Sequence, residues 1–93
     1  MTEPASFAEL RTRIREILPQ VEALAGGQPD NRWVLSIARQ LRYLDDRLGA
    51  ARPTLDRAAE MNFGLLASHY VDDEDPALGG ALHSISNAVR RLF

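Results

Sequence analysis

Apolar residues recur through most of this chain at steps of three and four, the spacing that gathers side chains along one face of an α-helix. Phe7, Leu10, Ile14, Ile17, Val21 and Leu24 form the first stripe. Ser6-Phe7-Ala8-Glu9 opens it with capping-box spacing, in which each side chain can satisfy an amide left unpaired by the first turn. Pro19 lies inside the stripe, where it removes a hydrogen bond and crowds the preceding turn. The phase of the stripe holds across Pro19, which predicts one kinked helix rather than two short ones. Gly26-Gly27-Gln28-Pro29 closes it, with Gly26 placed for a left-handed C-terminal residue.

Asp30 or Asn31 can cap a second helix, whose buried face is defined by Trp33, Ile37, Leu41, Leu44 and Leu48 before Gly49 stops it. Thr54 is a possible cap for a third, with Leu55, Ala58, Met61, Leu65 and Leu66 facing inward and Phe63 on the flank. Gly64 costs about 1 kcal/mol relative to Ala in a helix interior, so it points to close packing or a bend there. Asp75-Pro76 reads as a cap followed by a first-turn proline, where the missing amide costs nothing. Leu78, Leu82, Ile85, Val89 and Leu92 make the last stripe, and Arg90 and Arg91 sit where a helix C-terminus favours cations. No segment alternates with period two. The pattern predicts an all-α fold, a single domain over residues 1–93, with four antiparallel helices at about 6–25, 31–48, 54–70 and 76–91.

Composition narrows the function. Apolar residues make up 45% and charged residues 26% of the 93, ordinary for one small globular domain with no room for a large walled-off substrate cavity. Cys is absent, which removes disulfides and thiolate chemistry and fits a reducing compartment. No apolar run approaches the roughly 20 residues of a membrane span, and Met1-Thr2-Glu3-Pro4 is too polar for a signal peptide, so a cytoplasmic protein away from membranes is expected. Every one of the 11 basic residues is Arg, and 13 acids leave a net charge of −2. Residues 1–49 balance at seven Arg and seven acids, while residues 50–93 hold four Arg and six acids. That distribution argues against a sequence-independent grip on nucleic acid.

Candidate chemistry is sparse. Ser68, His69 and Asp72 suggest a triad, but neighbours on a helix point about 100° apart and cannot form a nucleophile–base pair. His69 and His83, the two imidazoles, fit no metal-binding spacing. The run from Asp72 fails as a calcium loop, because Pro76 and Ala77 stand at its fifth and sixth positions. Gly79-Gly80 matches no phosphate-binding loop and lies beside four acids. Arg11, Arg13 and Arg15 read as a solvated face paired with Glu9 and Glu16. No catalytic residue, metal or cofactor is expected. What remains is Asp72-Asp73-Glu74-Asp75: Asp75 has a cap to make, and the other three repel one another unless a basic partner meets them.

Three blocks carry a resemblance. Leu35-Ser36-Ile37-Ala38-Arg39-Gln40-Leu41-Arg42-Tyr43-Leu44, then Met61-Asn62-Phe63-Gly64-Leu65-Leu66-Ala67, then Asp72-Asp73-Glu74-Asp75-Pro76-Ala77-Leu78 continuing to Ala81-Leu82, occur in order. Together they resemble the small bacterial immunity proteins that neutralise type VI secreted NAD(P)⁺ glycohydrolase toxins. Similar proteins also face toxins that synthesise adenosine alarmones such as (p)ppApp. The resemblance implies a helical, non-enzymatic cytoplasmic protein that binds the catalytic domain of a cognate toxin and occludes its nucleotide cleft. Charge nominates Asp72, Asp73 and Glu74 as toxin contacts. Arg39, Arg42 and Tyr43 join them because Arg and Tyr are over-represented among energetic hot spots. The competing class is a helical oligomerisation or adaptor module with no toxin, and a small DNA-binding regulator is disfavoured by charge.

Overall fold

Short polar side chains start three of the four helices among the described residues. A computed structural model describes residues 3–55 and 61–93, arranged as α1 (Phe7–Gly27), α2 (Arg32–Leu48), α3 (Phe63–Tyr70) and α4 (Pro76–Leu92). Ser6 Oγ accepts from the Glu9 amide at 3.2 Å. The return bond of the capping box is shifted by one residue, for Glu9 Oε2 accepts from the Ala5 amide at 2.7 Å. Asn31, not Asp30, caps α2 by accepting from the amides of Trp33 and Val34. Asp75 caps α4 through Leu78 N at 3.1 Å, with Pro76 opening the first turn.

Helix α1 runs unbroken through Pro19, whose side chain is exposed. Its end differs from expectation. Gln28, rather than a left-handed Gly26, makes the C-cap, and no described residue has a positive φ. The larger difference is in the third helix, which is eight residues long and begins at Phe63. Residues 53–55, 61 and 62 are not helical, and Ala58 lies outside the described residues. The carbonyl and hydroxyl of Thr54 accept from Arg47 at 3.0 and 2.7 Å, and the residues it would cap lie outside the described residues. Asn62 precedes α3 and is held instead by α2. Gln40, 9% exposed, donates to Asn62 Oδ1 at 2.7 Å and to Ser36 Oγ at 3.1 Å, and accepts from the Asn62 amide at 2.9 Å.

The late start rotates the inward face of α3. Phe63 is buried and Leu66 and Ala67 follow it inward, whereas Leu65 is 60% exposed. Gly64 lies so close to α4 that a Cβ there would sit 2.6 Å from Ser86 Oγ. Elsewhere the stripes point inward as expected: Leu10, Ile14, Ile17 and Val21 from α1, Ile37, Leu41, Leu44 and Leu48 from α2, and Leu78, Leu82, Ile85 and Val89 from α4. Trp33 is the exception, 38% exposed, with Val34 taking the buried place beside it.

Helix α1 packs on α2 and α4, and α3 packs on the same two helices, which closes a four-cornered ring. Partners run in reverse order where α1 meets α2 and where α3 meets α4. Arg11 and Arg15 reach Asp45 while Glu22 reaches Arg42. Gly64 faces Ser86 while Ser68 faces His83. The Phe7 ring meets that of Phe93 at a tilt of 53° with centroids 5.0 Å apart, and Arg91 holds Glu3 through Oε1 at 2.8 Å and Pro4 through its carbonyl. Arg11 and Arg15 thus pair across helices with Asp45 rather than with Glu9 and Glu16. Partial burial pushes the Asp45 carboxyl up, but hydrogen bonds and charge from both guanidiniums outweigh it and hold it below its usual range.

Candidate partner-binding site

The reversed order of the helices brings two loops to one end of the molecule: the turn joining α1 to α2, and the loop of residues 71–75 joining α3 to α4. Gln28 links them. Its amide donates to Glu74 Oε2 at 3.0 Å and its Oε1 accepts from Asn31 Nδ2 at 2.9 Å, so one side chain connects the acidic loop to the cap of α2. The acidic loop is itself tightly wound. Asp72 N donates to the Ala67 carbonyl, the amides of Glu74 and Asp75 both donate to Val71 O, and Val71 is buried as the anchor.

Three carboxylates leave this turn in different circumstances. Asp72 lies against α4, its two oxygens 3.0 and 3.2 Å from His83 Nε2. A Cβ at Gly79 would collide with the Asp72 carboxylate, so the helix is bare where the acid crosses it. Glu74 is exposed and bound to Gln28, and Asp73 is exposed with no partner among the described residues. Two of the three acids therefore have local partners that sequence spacing did not reveal, because Gln28 and His83 are distant along the chain.

Ser68, Asp72 and His83 do come together, and their geometry decides what they can do. Ser68 Oγ is 3.5 Å from His83 Nε2, the same nitrogen that faces Asp72. A serine relay places the hydroxyl on one ring nitrogen and the carboxylate on the other, so that the ring can take a proton while the acid holds it. Here both compete for one nitrogen. The trio is a bridge between the loop and α4. His69 stands apart, exposed, with its ring 6.1 Å from that of Tyr70. Among the described residues no three His, Asp or Glu group as metal ligands, and no helix is long and apolar enough to cross a membrane.

Beside the acids lies an aromatic and cationic strip. The Trp33 ring stacks on Tyr70, centroids 5.8 Å apart and planes 17° apart, and the Arg32 guanidinium sits 4.6 Å from the Trp33 ring centroid. Trp33, Arg32, Ser36, Arg39, Asn62 and Leu66 line a shallow depression between α2 and α3. Of the residues nominated from sequence, Arg39 belongs to this strip, and Asp72, Asp73 and Glu74 form the neighbouring acidic turn. Arg42 is not with them, for it leans toward α1 and pairs with Glu22 at 3.4 Å. Tyr43 is half-buried, and its hydroxyl is enclosed without a partner among the described residues. The sequence pattern assigns Trp33 to the buried face of α2 and gives Arg32, Tyr70 and Gln28 no binding role. The available signal was Trp33-Val34, two large apolar neighbours of which a helix can turn only one fully inward.

A small ring of helices presenting a charged and aromatic end defines the class: an all-α domain whose polar groups brace a surface. Residues 9–91 match the Tsi6 family, and the chain belongs to that family of type VI secretion immunity proteins. Family membership implies a cognate toxin protein as partner. No curated protein and no solved structure matches the chain.

Proposed function

We propose that this chain neutralises a secreted interbacterial toxin, of an NAD(P)⁺-consuming or other nucleotide-using class, by binding the toxin's catalytic domain and occluding its nucleotide cleft. The match to the immunity family over residues 9–91 carries this reading. The acidic turn supports it physically. A cleft that holds nucleotide phosphates is lined with donors and cations, and Asp72, Asp73 and Glu74 offer carboxylates to the same groups. Asp72 is braced by His83 and Glu74 by Gln28, so part of the ordering cost of binding is met before the partner arrives. Arg39, in the depression between α2 and α3, is a further contact, with Arg42 and Tyr43 contributing at most at the margin. The chain acts in the cytoplasm of the toxin-bearing cell and carries out no reaction of its own.

The test is a titration of the catalytic domain of the toxin encoded beside this chain's gene. Its nucleotide consumption should fall to nothing at equimolar protein, and co-expression should restore growth of cells making the toxin. The chain alone should leave NAD⁺ unchanged. Full toxin activity in the presence of excess protein would sink the proposal.

A further inference from the structure

The depression between α2 and α3 has a chemical bias. Arg32 and Arg39 are exposed and have no carboxylate partner among the described residues, whereas Arg11, Arg15, Arg42 and Arg91 each have one. Seven residues apart on one helix, they stand about 10 Å from each other along its axis, on the same side. Between them lies Ser36, and Asn62 and Leu66 form the opposite wall.

The hydrogen bonds of the walls fix which polar functions remain. Gln40 Oε1 accepts from the Asn62 backbone amide, which makes the other Gln40 terminus its amide nitrogen. That nitrogen donates to both Asn62 Oδ1 and Ser36 Oγ, so these acceptors are engaged from within the protein. The Asn62 amide N–H groups and the Ser36 hydroxyl proton are left. The polar functions turned to the depression are thus mostly donors: two guanidiniums, an amide and a hydroxyl. The apolar part is Leu66 together with the Trp33 ring, which both Tyr70 and Arg32 contact.

We infer that this depression is a second contact on the toxin and receives a carboxylate-bearing segment of its catalytic domain, with an apolar side chain seated against Trp33 and Leu66. The inference rests on the immunity reading and extends it, giving the interface opposite charge on its two halves. A protein carboxylate is favoured over a nucleic-acid phosphate because the net charge is −2 and Tyr70, which stacks on Trp33, immediately precedes the acidic loop of residues 71–75. A polyanion entering there would be repelled.

The experiment measures binding of the immobilised toxin catalytic domain to the wild-type chain and to Arg32→Gln/Arg39→Gln. The double variant should raise Kd by about 30-fold or more, chiefly through faster dissociation, as for a desolvated hot spot. Its circular dichroism and melting temperature should match wild type, since neither guanidinium has an ion pair among the described residues. Arg32→Lys/Arg39→Lys should recover part of the affinity. Arg91→Gln, at the other end of the molecule, should leave Kd unchanged. Unaltered rates for the glutamine variant beside a binding wild type would overturn the inference and leave the immunity reading standing. So would equal weakening by Arg91→Gln, or capture of a single-stranded oligonucleotide through the same two arginines. A wild-type chain that does not bind the domain at all would overturn both.

Discussion

Gly64 and Gly80 both lie in helices, yet a methyl group added to each would meet opposite surroundings. At Gly80 nothing approaches within 4 Å, so Gly80→Ala should gain the ordinary helix preference, up to about 1 kcal/mol. At Gly64 the new methyl would stand 2.6 Å from Ser86 Oγ and 2.9 Å from Ser86 Cβ. Ser86 is buried and its side chain is too short to swing clear, so Gly64→Ala should cost about 1–3 kcal/mol by overpacking. Denaturant titration of the two variants should shift in opposite directions; a shift of the same sign would show that α3 and α4 are not in this close register. The glycine's meaning was half legible. Its position in a helical pattern signalled close packing, but which residue it meets depends on a contact 22 positions away. The same holds for Phe63 and Leu65, whose inward and outward roles reverse once α3 begins at Phe63. Local pattern placed that start near Thr54, because nothing nearby in sequence shows that Gln40 holds Asn62 in a non-helical conformation.

At the scale of elements, α1 and α2 are joined outside the core by Asp45 with two arginines, and by Arg42 with Glu22. Arg11 and Arg15 both donate to Asp45 Oδ1, at 3.0 and 2.9 Å. Burial raises the Asp45 pKa, and the two guanidiniums lower it by more, leaving the folded value below the usual one. The sign follows from linkage. A carboxyl whose pKa is lower in the folded state stabilises the fold fully above the unfolded value, about 3.9, and that stabilisation is lost as pH falls through the lowered folded value. Asp45→Asn should therefore cost about 1 kcal/mol at neutral pH, the upper range for partly exposed pairs, and the difference from wild type should vanish in strong acid. Melting curves from pH 7 down to the acid limit check this; a constant difference at all pH values would mean that Asp45 acts through packing alone. Stripes and caps made the helices themselves readable, since both depend on residues within one or two turns. Which arginine meets which acid was not, because the pairing is set by how α1 lies on α2.

Across the whole molecule, the end carrying both loops holds acids on one side and arginines on the other, and the acidic half raises a question of rate. Asp73 and Glu74 are exposed, so most of their field reaches solvent, where it is screened beyond roughly 8 Å at physiological salt. Charges in that position act on the encounter with a basic cleft more than on the lifetime of the complex. Asp72 differs, because its carboxylate is spent partly on His83 and lies over Gly79. Asp73→Asn/Glu74→Gln should thus slow association with the toxin domain by up to about tenfold at low ionic strength, with little change in dissociation or melting temperature. The deficit should shrink as salt is added, since wild type loses the same steering. Asp72→Ala should lower stability by about 1 kcal/mol through the lost bond to His83, and slow association as well. Stopped-flow binding at two salt concentrations, with a melting curve for each variant, separates these effects. If the double variant associates at the wild-type rate at both salts, the turn only solvates the end of the bundle, and recognition lies with Trp33 and the arginines around it.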